Sequence, residues 1–247
     1  MNSWPQPPTE LPALQDNIHV WAVRLDDASV DLDHARAVIS LDERARAACF
    51  KFDRDRRRYL VAHAALHEIL SRYLPIAPLG LSFDTGANGK PRLSQALAPS
   101  GIEFNLSHSN EMALLAVCYK REVGVDIEYV KEQFAFQEVA ERFFTPREVA
   151  AMRGLPSHLQ RQAFFKCWTS KEAFLKAKGT GLSGALDEVE IVIIADEQVR
   201  ITTNVPGWLL AELAPIDGHE AALVVAGGPV PIHYYLWQPG FGLDRAS

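Results

Sequence analysis

The sequence predicts an α+β fold of two similar halves, packed side by side as a pseudo-dimer within one chain. Three observations predict it. Capping boxes of the form Ser/Thr-x-x-Glu stand at Ser40–Glu43 and again at Thr145–Glu148, each opening a helix. Each is followed by a longer helical stretch that opens with basic and aromatic residues. After each long helix come short apolar or alternating runs with brief turns, the pattern of antiparallel strands. The repeat shows in the order of elements and hardly in residue identity. It divides the chain into a loose tail at 1–17, an N-terminal half at 18–123 and a C-terminal half at 124–247. A cleft between two such halves is a common place for a ligand.

Residues 1–17 hold four prolines and little periodicity, hence the loose tail. Residues 18–25 read as the first strand. Ser40 caps a helix, and the run from Phe50 to Tyr59 leads into another through Leu60, His63, Leu66 and Leu70. The four arginines between positions 54 and 58 are either a solvated face or a phosphate cradle. His63 and His67 have the i,i+4 spacing of zinc ligands, but no third ligand accompanies them. Residues 79–83 read as a short strand, and 84–91 as a turn-rich loop ending Gly89-Lys90-Pro91. Strands follow at 102–106, which runs into Ser107-His108-Ser109, and at 112–119; a turn then enters Gly124-Val125-Asp126-Ile127-Glu128-Tyr129. Short connections usually join neighbours, so Gly89-Lys90, His108 and the Asp126 strand are expected at adjoining edges. Pro146 suits the first position of the helix that Thr145 opens. The central helix carries Phe164 to Lys178 and is closed by Gly179-Thr180-Gly181, because glycine takes the left-handed cap without a Cβ penalty. Strands near 189–194, 199–203, 208–213 and 221–226 complete the second half.

Composition bounds the class. Apolar residues make up 48% and charged residues 23%, ordinary values for a globular protein that buries a core. Cys49, Cys118 and Cys167 are widely spaced and odd in number, which gives neither a disulfide framework nor a zinc pattern and predicts a reduced, cytoplasmic setting. No apolar run approaches the roughly 20 residues that span a bilayer. A basic and apolar leader is not visible at the N-terminus. The net charge of −6 argues against a general nucleic-acid binder.

Two stretches carry chemistry. In the central helix Phe164, Trp168, Glu172 and then Leu175 or Lys176 follow at steps of three or four, which sets a carboxylate and an ammonium on the stripe of Trp168. Either a metal, a cation or a wet cleft lies beside Glu172, or Glu172 and Lys176 form a surface ion pair at i,i+4. In the strand Gly124–Tyr129, Val125, Ile127 and Tyr129 share one face while Asp126 and Glu128 share the other. Two carboxylates on one strand face are either solvated or bridged by a cation. All-oxygen ligands suit a hard ion, Mg²⁺ before Ca²⁺. Glu172 would complete such a site.

Taken together, Gly89-Lys90-Pro91, Phe104-Asn105-Leu106-Ser107-His108-Ser109, Gly124-Val125-Asp126-Ile127-Glu128 and Phe164-x3-Trp168-Thr169-x-Lys171-Glu172-Ala173-x2-Lys176 resemble the signatures of the Sfp-type 4′-phosphopantetheinyl transferases. The motifs stand in the family's order over most of the chain. The resemblance implies a single-chain pseudo-dimer, a monomer that moves the phosphopantetheine arm of coenzyme A to a serine of an acyl or peptidyl carrier protein, with Mg²⁺. It implies Asp126, Glu128 and Glu172 as metal ligands, with Glu172 as general base and Lys176 at the reacting phosphates. Ser107, His108 and Lys171 fall on cofactor contacts, and Gly89, Lys90 and Pro91 on the nucleotide-side loop. Arg58, with Arg44 and Arg46 as helpers, falls at the 3′-phosphate of coenzyme A. Two positions depart from the family: Glu43 stands where lysine occurs and His67 where arginine is common.

Rival readings are weaker. Consecutive strand residues point to opposite faces, so His108 cannot easily serve an adjacent serine, and no Gly-x-Ser-x-Gly elbow exists for a hydrolase. A non-catalytic module that binds coenzyme A or a carrier protein predicts loss of a metal carboxylate, and all three are present. The phenylalanines at 134, 136, 143 and 144, with Lys131 and Arg142 at the ends, are expected to dock the carrier protein.

Overall fold

The structure is a computed structural model that describes residues 4–86, 89–180, 189–195, 199–203 and 205–240. The first half runs β1 (Ile18–Arg24), α1 (Leu32–Val38), α2 (Leu41–Ala48), α3 (Asp53–Leu70), β2 (Phe83–Thr85), β3 (Pro91–Leu93), β4 (Ile102–Ser109) and β5 (Met112–Tyr119). The second runs β6 (Val123–Tyr129), α4 (Phe136–Phe143), α5 (Pro146–Arg153), α6 (Ser157–Lys178), β7 (Ile191–Ala195), β8 (Val199–Thr203), β9 (Trp208–Leu213) and β10 (His219–Ala226). Among the described residues both halves read strand, three helices, four strands. Pairing repeats as well: β1 pairs with β5 and β5 with β4, while β6 pairs with β10 and β10 with β9, all antiparallel. The small hairpins β2–β3 and β7–β8 also correspond. Both capping boxes form, at Ser40–Glu43 and at Thr145–Glu148.

Two features lie outside the repeat. The chain returns to its beginning, and β11 (Ile232–Leu236) pairs parallel with β1, so the first sheet is completed by residues far beyond 123. The tail expected to be loose is packed. Trp4 donates from Nε1 to the Ala214 carbonyl at 3.1 Å, its ring meets Tyr234 at 5.0 Å, and Leu14 enters the core. The strand expected at 79–83 is instead a 3₁₀ turn at Pro78–Gly80, with β2 starting at Phe83. Pro78 supplies the turn's fixed φ, and Leu79 points to solvent.

Layers follow from strand alternation. On β1, Trp21 and Val23 face α1–α3, while Ile18, Val20 and Ala22 face the other sheet. On β6, Val123, Val125 and Ile127 meet them across that inter-sheet core. The second helical layer, with Phe164 and Phe174 of α6, covers the opposite face through Ala222 and Val224 of β10. The order is therefore helices, sheet, sheet, helices. β5 is buried on both faces, which explains why it reads as a continuous apolar run, while β1 is buried on both faces up to the exposed Arg24.

One buried polar knot belongs to the first sheet. Trp21 Nε1 donates to Tyr73 Oη at 2.9 Å, which leaves the phenol proton for His19 Nδ1, also at 2.9 Å. His19 Nδ1 is then an acceptor and the ring neutral. Burial, followed by the charges of His233 and Arg72, pulls this imidazole down to about 4.

α6 lies on β6 at unusually short range. A Cβ on Gly124 would stand 1.9 Å from the Ala173 carbonyl oxygen and 2.4 Å from the Ala177 nitrogen. Ala173 and Ala177, one turn apart, are the small residues that allow this approach. Gly124→Ala must therefore push the helix off the strand. We expect a loss at or above the upper end of the roughly 1–3 kcal/mol typical of overpacking, read as a lower urea midpoint. An unchanged midpoint would show that the contact is not tight.

His19 generates a pH prediction. Its unfolded value lies near 6.5 and its folded value near 4, so between them the unfolded chain binds the extra proton. Stability is retained above about pH 6.5 and lost as pH falls toward 4, by about 3 kcal/mol at most. Urea unfolding across that window should slope less in His19→Gln than in the parent chain. Parallel slopes would rule His19 out as the cause.

Candidate active site at the seam of the two halves

β4 and β6 come from different halves, and polar side chains join them. Period-two alternation turns Asn105, Ser107 and Ser109 of β4 toward β6. Asn105 Oδ1 accepts from the Val125 backbone N–H at 2.8 Å. Ser107 Oγ donates to Asp126 Oδ1 at 2.9 Å. Ser109 Oγ donates to Glu128 Oε2 at 2.9 Å and accepts from the Tyr129 N–H at 3.0 Å. The strand thus holds both β6 carboxylates in place from the neighbouring half.

α6 brings the remaining groups. Because Gly124 lets the helix backbone touch β6, Glu172 and Lys176 reach the Asp126 face. Lys176 Nζ donates to Asp126 Oδ1 at 2.6 Å and to Ser107 Oγ at 2.8 Å. The surface Glu172–Lys176 pair considered from the sequence does not form, since the ammonium turns to Asp126. Glu172 lies one turn earlier on the same helix face. Its Oε1 and Asp126 Oδ2 are both buried without a hydrogen-bond partner among the described residues.

Electrostatics expose the imbalance. Burial, then repulsion from Asp126, pushes the Glu172 carboxyl up to about 7, against the pull of Lys176. Burial and the same repulsion raise Glu128, with Ser109 opposing. Asp126 is raised by burial, while Lys176 and Ser107 pull it down. Three carboxylates share one ammonium. Two orphaned carboxylate oxygens in a desolvated site are costly unless a cation meets them. Asp126, Glu128 and Glu172 supply only oxygen, the donor set of a hard divalent ion. Among the described residues they are not gathered in metal-ligand geometry, because Lys176 occupies one Asp126 oxygen and Ser109 one Glu128 oxygen.

The other candidates fall in different places. Lys171 is corrected: it does not face this site. It is fully buried 2.9 Å from the equally buried Glu148 Oε2 and donates to the Val189 carbonyl at 2.6 Å. Adjacent helix positions differ by about 100°, so Lys171 cannot share the direction of Glu172. Its pairing anchors α6 to α5. Phe136 and Phe144 are also core residues, and the Phe134 ring lies within 5.9 Å of both Phe164 and Phe165, so the expected docking patch is part of the second core.

His108, on the opposite face of β4 from Ser107, lines a cavity of about 240 Å³ with Arg58, Tyr59, His63 and Asn110. The structure thus brings Arg58 and His108 together. Arg58 donates to Asp26 from Nε at 2.8 Å and Nη2 at 2.6 Å, and to Asn110 from Nη1 at 3.0 Å. The rest of the arginine run already has partners, Arg54 with Asp55, Arg56 with Asp53 and Arg57 with the Asp27 carbonyl, which favours a solvated face over a cradle. Arg44 is spent on the Ala37 and Ile39 carbonyls, at 3.1 and 3.2 Å. Arg46 is exposed; burial and then Glu43 push the Tyr59 phenol up to about 12, and the Arg46 charge opposes them. Lys90 and Pro91 line a different cavity, of about 850 Å³, with Glu103 and Lys178. Lys90 Nζ donates there to the Val123 carbonyl at 2.9 Å. Gly89 is exposed in the preceding turn at φ 81°. His63 and His67 do not make a zinc site; both hydrogen-bond Glu43.

Sequence reasoning passed over the seam contacts of Asn105 and Ser109. Their signal was available, since Asn105, Ser107 and Ser109 alternate in step with Asp126 and Glu128. It placed Glu43 in the capping box and as a departure from the family, but not as the acceptor of His63 and His67, which stand one turn apart.

Comparison with known proteins agrees with this layout. A family described as the 4′-phosphopantetheinyl transferase superfamily matches residues 122–225, and one described as 4′-phosphopantetheinyl transferase, N-terminal, matches residues 26–120. The chain is 40% identical over 240 residues to 4′-phosphopantetheinyl transferase HetI of Nostoc sp., covering 97% of this chain and 98% of that protein. It is 34% identical over 179 residues to 4′-phosphopantetheinyl transferase psf-1 of Bacillus pumilus, covering 72% and 74%. With 4′-phosphopantetheinyl transferase Sfp of Bacillus subtilis the identity is 29% over 163 residues, covering 66% and 70%. No helix among the described residues is long and apolar enough to cross a membrane. With both halves matched in order and one relative similar along almost the whole chain, this protein belongs to the 4′-phosphopantetheinyl transferase superfamily.

Proposed function

We propose that this chain transfers the 4′-phosphopantetheine arm of coenzyme A to a serine of an acyl or peptidyl carrier protein, releasing adenosine 3′,5′-bisphosphate. The observation that carries the reading is the cluster of Asp126, Glu128 and Glu172 around the single ammonium of Lys176. Phosphoryl transfer needs charge stabilisation and positioning more than covalent chemistry. Asp126, Glu128 and Glu172 would hold Mg²⁺, which when bound supplies Lewis-acid stabilisation of charge on the pyrophosphate.

The chain's own groups do the rest. Lys176, only partly buried, can exchange Asp126 for a phosphate oxygen, keeping a charged partner throughout. Ser107 keeps Asp126 oriented while that exchange occurs. Serine is a poor nucleophile near neutrality and needs a base as it attacks. Burial pushes the Glu172 carboxyl up to about 7, a bound Mg²⁺ would lower it again, and Glu172 would then take the serine proton directly or through a water. Because the site lies between two halves of one chain, a monomer suffices.

Intact mass of an apo carrier protein after incubation with coenzyme A and Mg²⁺ tests the reaction. A gain of the phosphopantetheine arm is expected, and an unmodified carrier would remove the reading.

The residue assignments make two further predictions. Asp126→Asn should lower transfer by about 100-fold or more, the scale for losing a charge-stabilising element. Adding Glu128→Gln should cost much less than a second such factor, because both act through one ion. Near-parental turnover of Asp126→Asn would remove the assignment. Independently of turnover, millimolar Mg²⁺ should raise the melting temperature of the parent chain by preferential binding to the folded state. Glu172→Gln should lose that shift, whereas an equal shift in the variant would place the ion elsewhere.

A further inference from the structure

We propose that His63, aimed by Glu43, is an anion-binding residue that contacts the 3′-phosphate of coenzyme A in the cavity shared with Arg58 and His108. The inference rests on the reading of that cavity as the 3′-phosphate end of the coenzyme A site. At about 240 Å³ it is small against the roughly 300–1,000 Å³ of a whole ligand site and suits one end of a long molecule.

The argument starts at Glu43. Its carboxylate receives Ser40 N–H at 2.8 Å, Ser40 O–H at 2.7 Å, His63 Nδ1 at 2.7 Å and His67 Nε2 at 2.9 Å. Burial would push this carboxyl up, but the hydrogen bonds from His63 and His67 outweigh it and hold Glu43 well below the usual carboxylate range. It is therefore an acceptor only. His67 Nδ1 faces the Pro78 carbonyl at 2.7 Å. Both ring nitrogens of the fully buried His67 therefore meet oxygen atoms, and the ring ties Glu43 to the Pro78 turn.

His63 is the second histidine on the same carboxylate. Its Nδ1 is pinned as a donor, and its ring stacks on Tyr59 with centroids 4.0 Å apart. The ring is therefore fixed, with Nε2 left for the cavity it lines. With Nδ1 committed to the carboxylate, Nε2 is the ring atom that meets an anion, as a donor once it carries a proton. Arg58 alone is not enough there. Its fork is neutralised by Asp26 and shared with Asn110, and Asp55 also lines the cavity. A phosphate in this cavity needs a second partner, and His63 is the ring held in place to supply it. Glu43 acts through His63 and is a positioning residue.

The test compares coenzyme A with dephospho-coenzyme A as donors, using kcat/KM for the parent chain, His63→Ala, Glu43→Gln and Arg58→Ala. A lost hydrogen bond to a charged group predicts a drop of about 10- to 100-fold for His63→Ala with coenzyme A. With dephospho-coenzyme A the drop should be small, and kcat should hold, because the contact is remote from the breaking bond. Glu43→Gln should show the same donor-selective loss. Calorimetry with adenosine 3′,5′-bisphosphate and with AMP gives the same comparison without turnover. If His63→Ala melts below the assay temperature, His63→Gln, whose amide can still donate to Glu43, carries the test. Equal losses for both donors in His63→Ala, beside a selective loss in Arg58→Ala, would overturn the role of His63 alone. Equal losses in both variants would overturn the reading of the cavity itself.

Discussion

The contact on which the site depends is the bare backbone of Gly124 against α6. No side chain could occupy that point, since a Cβ would overlap the Ala173 carbonyl. With the helix seated there, Glu172 and Lys176 stand on either side of the contact and reach the Asp126 face of β6. A helix held off by even a methyl group would carry both residues away together. The seat also explains why Ala173 and Ala177 are small on a helix otherwise rich in phenylalanine. Backbone proximity, rather than any hydrogen bond, sets the distance between the carboxylates.

Two lysines on α6 show how burial decides role. Lys171 is fully enclosed with Glu148, which also caps α5 and accepts from the Ile191 N–H at 2.7 Å. Every charge there is met, and the pair fixes three elements relative to one another. Removing one partner of such a pair strands the other inside, at about 3–5 kcal/mol. Lys176 stands about 140° further round the helix, where three carboxylates converge and none is fully satisfied. An over-satisfied lysine builds the scaffold, and an over-subscribed one marks the chemistry.

Much of this was legible in the sequence where local physics decides. The capping boxes, the alternation that puts Asp126 and Glu128 on one face, and the Gly179 cap depend only on neighbours in the chain. Gly179 adopts φ 69°, as the cap requires. Gly181 lies outside the described residues. What was not legible depends on partners distant in sequence. The return of β11 to β1 and the docking of Trp4 on Ala214 involve separations of over 200 residues. Phe136 and Phe144 read as a docking surface because apolar residues after a carboxylate-bearing strand look the same whether they face solvent or a core. The misplacement of Lys171 was avoidable, since helical geometry alone separates it from Glu172.

The duplication explains how one fold could divide the labour. Equivalent strands β1 and β6 open the halves, and equivalent strands β4 and β9 each form one edge of their sheet. Only β4 presents Asn105, Ser107 and Ser109 to the other half, whereas β9 carries apolar residues and the Glu212 that meets Lys166. The same architecture thus yields two unlike edges, and the polar one meets the carboxylates of β6. On the far face of β4, His108 turns toward Arg58 and His63. A single eight-residue strand therefore links the cavity of Arg58 and His63 in the first half to the acidic cluster of the second.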